Sequence, residues 1–429
     1  MKIIGIVAEY NPFHNGHYHQ LHMLKQAHPD ATIIVVMSGS FVQRGMPAFF
    51  SKFDRTRWAL HGGADMVLEL PTIYSLGSAE IFATGAVRLL SQLGATHISF
   101  GAENTDATLL KQIATVALSD EVQEHCRTFL QEGYAYGTAL RLAITTAYPE
   151  AQDSIQEPNA LLGIEYLRAI QTHHLQMEPL PILRTSAHHE AILSDELPSG
   201  TALRKLLSTI TLATNKGQQT SMNSNLQDSL TPNIQELLSS YFPASICSDL
   251  ETTLNKGEHL DGDRYDNLVH GINRTMTTTR LSALADFTEG IENRWLHAVN
   301  ASNWQSVRAS IKSKRYTYAR IDRMASYTVF NLTKAILSKA HLEGPIYTRL
   351  LGFSHSGREL LKRWSKQDSP LPCEVIQKWA PVYQSAQGFK QQLMELDTQA
   401  TDIQHLCFKT DASRLGGKDY LYSPYYYKG

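Results

Sequence analysis

The sequence is poor in the features that assign a chain to a specialised class. Its four cysteines, Cys126, Cys247, Cys373 and Cys407, lie far apart and form no C-x-x-C. A disulfide framework or zinc ribbon is therefore not expected, and the cytosol is the natural compartment. No apolar run approaches the ~18 residues of a membrane-crossing helix, so no membrane partner is expected. The opening residues lack a basic stretch and a small-residue cleavage site, so no signal peptide is read. No internal repeat is visible. The net charge is only −2, and the total points to no partner. What is left is a globular composition, 42% hydrophobic and 19% charged, in a 429-residue chain long enough for two or three domains.

What is present, over residues 1–210, is an alternation of strand and helix. Short β-branched runs at 3–8, 31–37, 66–70, 97–100 and 180–183 predict five strands. Helical spacings about 21–27, 52–61, 78–93 and 160–170 separate them, with further helices at 107–150. Strands joined by such helices predict a doubly wound parallel sheet with right-handed crossovers. Ligands of such sheets bind at the carboxyl ends of the strands. The loops after Ala8, Met37, Leu70 and Phe100 should share one rim, bringing His14, Ser38, Gly39 and Gly101 together.

The stretch around which the chain is organised is Val7-Ala8-Glu9-Tyr10-Asn11-Pro12-Phe13-His14-Asn15-Gly16-His17. It reads as a buried strand, a turn at Asn11-Pro12, and a helix start. The open N–H groups and positive dipole end of a helix start attract phosphate. Gly16 admits a ligand close to the main chain. His14 and His17, three apart, share one face and can donate to phosphate oxygens. Four nearby histidines, with His19 and His22, leave a zinc site as an alternative. Glu9 is the only carboxylate close by, and it precedes the turn.

His14-Asn15-Gly16-His17 resembles the H/T-x-G-H signature of the nucleotidyltransferase superfamily, and the longer string resembles the bacterial tRNA(Met) cytidine acetate ligases. That resemblance implies a Rossmann-like core. It also implies formation of acetyl-adenylate from ATP and acetate, and acetylation of the wobble cytidine of elongator tRNA(Met). His14 and His17 would be the catalytic pair. Residues from Val7 to Gln20, including Tyr18 and His19, together with Gly101, Asn159, Arg184 and Thr185, would bind the nucleotide. Asn159 also reads as a plain cap or turn residue. Ser199-Gly200-Thr201-Ala202-Leu203-Arg204 loosely resembles the superfamily's second signature, in which Ser199, Thr201 and Arg204 would hold phosphates, with Mg²⁺ expected beside them. Pro198 departs from that pattern and removes one N–H. A capped amphipathic helix is the other reading. Lys52 and Arg55 either line the acetate or phosphate pocket or belong to a salt-bridged surface helix.

Residues 211–232 are rich in Thr, Ser, Asn and Gln, which predicts a linker or mobile loop. Residues 233–429 read as mainly helical. Within them, 305–366 carry 13 Lys or Arg against three acidic residues, with Tyr316, Tyr318, Tyr327 and Phe353 interleaved. Such polarised charge is a footprint for RNA, with Lys312, Lys314, Arg315, Arg320 and Arg323 as the candidate contacts; snorkelling lysines on a solvated helix are the alternative. Three further stretches resemble the ligase family: 289–294, 312–317 and 349–353. The tail 420–427 should pack on another part of the chain. Two other functions stay open: a small-molecule nucleotidyltransferase acting on a phosphorylated acceptor, and a non-enzymatic nucleotide-sensing RNA-binding protein.

Overall fold

The computed structural model describes residues 2–156, 158–183, 199–219 and 234–428. The five expected strands are present: β1 (Ile3–Ala8), β2 (Thr32–Ser38), β3 (Met66–Leu70), β4 (His97–Ala102) and β5 (Glu178–Leu183). They pair in parallel in the order β3-β2-β1-β4-β5. The order reverses between β1 and β4, and the crevice at such a reversal is where doubly wound sheets bind nucleotides. Both strands that flank it carry motif residues at their ends.

The period-2 alternation of β2 explains the layering. Ile34 and Val36 face one core, while Ile33, Val35 and Met37 face the other. The second core receives Leu21 and Leu24 of α1 (Asn15–Ala27) and Phe53, Trp58 and Leu60 of α2 (Lys52–His61). The first receives Phe82, Ala86 and Leu90 of α3 (Ala79–Gln92), and Ile164 and Leu167 of α4 (Pro158–Thr172). Ser51 and Ser78 cap α2 and α3 by accepting from Asp54 N and Ile81 N.

Three features depart from the sequence reading. β4 runs two residues further than expected, so Gly101 lies inside the strand, opposite Ile182 of β5. The helix α5 (Gly200–Gln219) continues past residue 211, where the change in composition predicts a linker. Thr and Asn form helices less readily than Ala, but Leu212, Ala213, Lys216, Gln218 and Gln219 are good helix formers and no proline interrupts 211–219. Finally, the second half is mainly helical as expected, but it also adds strands to the sheet. β6 (Tyr347–Phe353) pairs antiparallel with β3, and β7 (Glu374–Ile376) and β8 (Tyr425–Tyr426) pair in parallel with β6, giving one eight-stranded sheet. The stretch containing Arg349, counted above with the cationic segment, is thus a buried strand. The aromatic tail packs as expected: Tyr422 stacks on Phe53 with centroids 4.0 Å apart, and Tyr425 Oη lies 3.2 Å from His61 Nε2.

Candidate active site

β1 ends in a turn of unusual backbone. Tyr10 takes a left-handed conformation, φ 46°, and the Asn11–Pro12 peptide is cis. A non-glycine residue rarely adopts such a φ, and it holds here because its surroundings leave no alternative. Tyr10 and Phe13 are buried with ring centroids 5.0 Å apart. Asn11 Oδ1 accepts from Phe49 N at 2.8 Å.

The helix start that follows is not the bare set of amides that the motif suggests. His14 is the N-cap of α1, and its Nδ1 accepts from Gly16 N at 3.0 Å. His17 Nδ1 accepts in turn from His14 N at 3.3 Å. The two imidazoles replace the usual Ser and Glu of a reciprocal cap. This arrangement sets their chemistry. A neutral imidazole whose Nδ1 accepts carries its proton on Nε2. Both rings therefore present Nε2–H as a donor. They are half-buried, with centroids 3.9 Å apart, and the His17 ring stands edge-on to Tyr10 at 4.8 Å.

The second motif converges on the first. Arg204 Nη1 donates to Asn11 O at 2.5 Å across 193 residues, and its Nη2 donates to Thr201 Oγ1 at 3.0 Å. Ser199 Oγ accepts from Ala202 N at 3.3 Å, so Ser199 is the helix cap that its spacing suggests. Burial pushes the Arg204 guanidinium below its ordinary pKa; Glu9 opposes this and Arg44 adds to it. Gln20 reaches β4, donating from Nε2 to Ser99 Oγ at 3.2 Å, and so ties α1 to the far side of the crevice. Tyr18, His19 and His22 are exposed. Asn159 sits in the first turn of α4. Arg184 and Thr185 lie outside the described residues. Among the described residues no three His, Cys, Asp or Glu side chains are grouped to hold a metal ion.

Arg55 and Lys52 fit neither expectation, because both are fully buried. Arg55 donates to carbonyls at the ends of two strands: Glu9 O at 2.7 Å, Ser38 O at 3.0 Å, and Gly39 O. It also donates to Phe50 O at 3.2 Å. It fastens the loops that form the rim instead of lining the pocket. Burial lowers its pKa to about 10, although Glu69, Glu9 and Asp54 oppose the shift. Lys52 Nζ lies 2.7 Å from Glu69 Oε1 and 2.8 Å from Asp419 Oδ1, and Arg349 pairs with the same aspartate. The sequence did hold a signal. Apolar residues surround α2 on several sides, with Phe53, Trp58, Ala59 and Leu60 all buried, and such a helix is interior.

The candidate RNA contacts are placed unevenly. Lys312 and Lys314 are exposed, with Lys314 Nζ 3.0 Å from the centre of the Tyr134 ring. Arg315 pairs with Glu289, and Arg320 lies 3.9 Å from Asp286 and 4.6 Å from the Tyr316 ring centre. Arg323 is half-buried on α6 (Tyr318–Phe330).

A reversed-order sheet, a histidine-capped helix at the end of β1 and an arginine returning to the same turn together define a nucleotidyltransferase site. Comparison with known proteins agrees. The family model described as HIGH Nucleotidyl Transferase matches residues 1–419. A tRNA(Met) cytidine acetate ligase of Alkaliphilus metalliredigens is 33% identical, with 100% of this chain and 99% of that protein covered. One of Acetivibrio thermocellus is 32% identical over 98% of each. The crystal structure of Thermotoga maritima TmcAL bound with alpha-thio ATP superimposes with a TM-score of 0.86 at 26% identity, covering both chains completely. Its apo form gives 0.88. The chain belongs to the HIGH nucleotidyl transferases and, among them, to the tRNA(Met) cytidine acetate ligase family.

Proposed function

We propose that this chain is an ATP-dependent acetate ligase acting on elongator tRNA(Met). It forms acetyl-adenylate, then acetylates the exocyclic amine of the wobble cytidine to N4-acetylcytidine, releasing AMP and pyrophosphate. The observation that carries the reading is the convergence of His14, His17 and Arg204 on the turn at the β1–β4 crevice.

Acetate is a poor acyl donor, because a nucleophile would have to expel oxide. Its carboxylate oxygen instead attacks the α-phosphorus, the α–β bridging bond breaks, and pyrophosphate leaves with the electron pair. The protein needs to position the groups and balance the growing charge. The Nε2–H donors of His14 and His17 serve that charge, and Thr201 and Arg204 serve the leaving pyrophosphate. No protein nucleophile is required. In the second step the cytidine amine attacks the acetyl carbonyl, loses a proton, and AMP departs. Val7 to Gln20, Gly101, Asn159, Arg184 and Thr185 form the nucleotide site. Mg²⁺ accompanying the ATP phosphates would lie beside Ser199, Thr201 and Arg204 and would supply further positive charge to the leaving pyrophosphate.

The second half supplies the RNA face, with Lys312 and Lys314 as its exposed cations and Arg315, Arg320 and Arg323 behind them. An anticodon loop presents an unstacked base at modest cost. The cytosol is the site of action: all four cysteines are free, as a reducing compartment keeps them. No described helix is long and apolar enough to cross a membrane.

Two assays test the reading. ATP–pyrophosphate exchange should require acetate. Mass spectrometry of tRNA nucleosides after incubation with ATP and acetate should show N4-acetylcytidine. Exchange driven by a phosphorylated acceptor would point to a small-molecule nucleotidyltransferase. ATP and RNA binding without exchange would point to a sensor.

A further inference from the structure

The loop after β2 links the adenylate motif to α6, and it holds one cation in an unusual state. Gln43 N donates to Glu9 Oε1 at 2.8 Å, on the motif side. Ser326 Oγ of α6 donates to Gly45 O at 2.5 Å, on the other side. Gly45 has φ +81°, and a Cβ there would overlap the Arg323 backbone nitrogen, so the loop lies directly on α6. Val42 N to Met46 O at 3.0 Å and Gly45 N to Val42 O at 2.9 Å close the loop on itself. Its tip is therefore rigid and seated between the two halves of the site.

Arg44 is at that tip and is exposed. Among the described residues it makes no hydrogen bond or ion pair, whereas three arginines of the cationic segment lie against carboxylates. Arg308 pairs with Asp322 at 2.7 Å, Arg315 with Glu289, and Arg320 approaches Asp286. The charge of Arg44 is felt on both sides, at Arg204 of the phosphate motif and at Asp322 of α6. An unpaired guanidinium anchored on a loop held at both sides of that junction is a receptor for a phosphate.

We propose that Arg44 is an RNA-binding residue, which holds a backbone phosphate of the nucleotide entering the crevice and so contributes to tRNA affinity. This rests on the acetyl-transfer reading above. The phosphate chemistry alone would also suit ATP. Position and exposure favour RNA, because the ATP motif already has Arg204 bonded into its turn.

The test uses the full-length protein with ATP, acetate and tRNA, comparing wild type with R44A, R44K and R44E. KM for tRNA should rise roughly tenfold in R44A and further in R44E, with kcat retained. R44K should recover part of the loss. The dependence of log KM on log salt should flatten by about 0.7 to 0.9 in R44A, the loss of one phosphate contact. An unaltered KM in R44E beside an active wild type overturns the proposal. So does an equal fall in acetate-dependent ATP–pyrophosphate exchange, which would assign Arg44 to the triphosphate. If wild type itself leaves tRNA unacetylated, the acetyl-transfer reading is what fails.

Discussion

The side chains of His14 and His17 that cap the helix are also those to which the proposed mechanism gives its chemistry. Each ring spends Nδ1 on the helix cap, and the proposed mechanism assigns Nε2–H to the phosphate. His17→Ala should lower acetate-dependent exchange by about 100-fold or more, the scale for removing a donor to developing charge. The same variant should lose only about 1 kcal/mol of stability, the worth of one capping bond, in a urea titration. A variant with full exchange would contradict the assignment. Arg55 works in the opposite manner. Its contacts are all within the protein, and its removal takes the guanidinium donors from the carbonyls of Glu9, Ser38 and Gly39, while Phe50 O keeps Gln404 Nε2 at 2.9 Å. Each orphaned group costs about 1–3 kcal/mol, so Arg55→Ala should destabilise by well over 3 kcal/mol in the same titration. A loss of activity at unchanged stability would mean that Arg55 meets substrate directly.

At the scale of elements, α2 is the piece whose charged residues most disguise its burial. Its Lys, Arg and Asp side chains suggest a surface, but its apolar residues lie on several sides, and it is wrapped by the sheet and the C-terminal tail. Asp419, near the end of the chain, lies between Lys52 and Arg349. Burial alone would raise the Asp419 carboxyl, but the two cations outweigh it and hold it below the usual carboxylate range. Asp419→Ala leaves Lys52 with Glu69 alone and buried Arg349 without its carboxylate partner, and should cost about 3–5 kcal/mol by denaturant unfolding. A loss under 1 kcal/mol would mean that water reaches the cluster. The helix α4, which carries Asn159, holds a different buried carboxyl. Glu165 is 2% exposed; burial pushes its pKa to about 7 from 4.5, against the pull of Arg168 at 2.8 Å. The folded state therefore binds this proton more tightly than the unfolded state. Its contribution is complete below pH 4.5 and is lost as pH rises to about 7. Stability of the wild type should fall across that window by an amount on the order of 3 kcal/mol from this group. Glu165→Gln should lack that slope, read as unfolding free energy at pH 5 and pH 8. Equal slopes in both proteins would show that the carboxyl is solvated.

At the scale of the whole molecule, the parallel core was legible because each of its strands is a short β-branched run between helical spacings. The β1 motif was legible because its residue types and spacing are themselves the chemistry. The join between the halves was not. Residues 345–353, Pro-Ile-Tyr-Thr-Arg-Leu-Leu-Gly-Phe, hold the β-branched and aromatic residues of a strand, but they lie in a cationic segment whose charge masks that pattern. Composition marked 211 as a boundary, although what decides a boundary is which surfaces cover each other. Here they cover each other broadly. β6 pairs along the outer edge of β3, Thr348 Oγ1 donates to Glu69 O at 2.8 Å, Tyr327 Oη to Leu76 O at 2.7 Å, and Thr72 N to Asp397 Oδ1 at 2.7 Å. Cutting the chain after Gln219 would bare the edge of β3, orphan Leu76 O and the Thr72 amide, and leave Lys52 without Asp419. An exposed apolar strand edge pairs with whatever it meets. The fragment 1–219 should therefore aggregate or form an expanded state with far-ultraviolet dichroism retained and near-ultraviolet dichroism lost. Co-expression with 220–429 should restore a cooperative transition. A soluble 1–219 fragment with a sharp thermal transition of its own would show instead that the β1–β5 core is an independent unit, and that β6 merely docks on it.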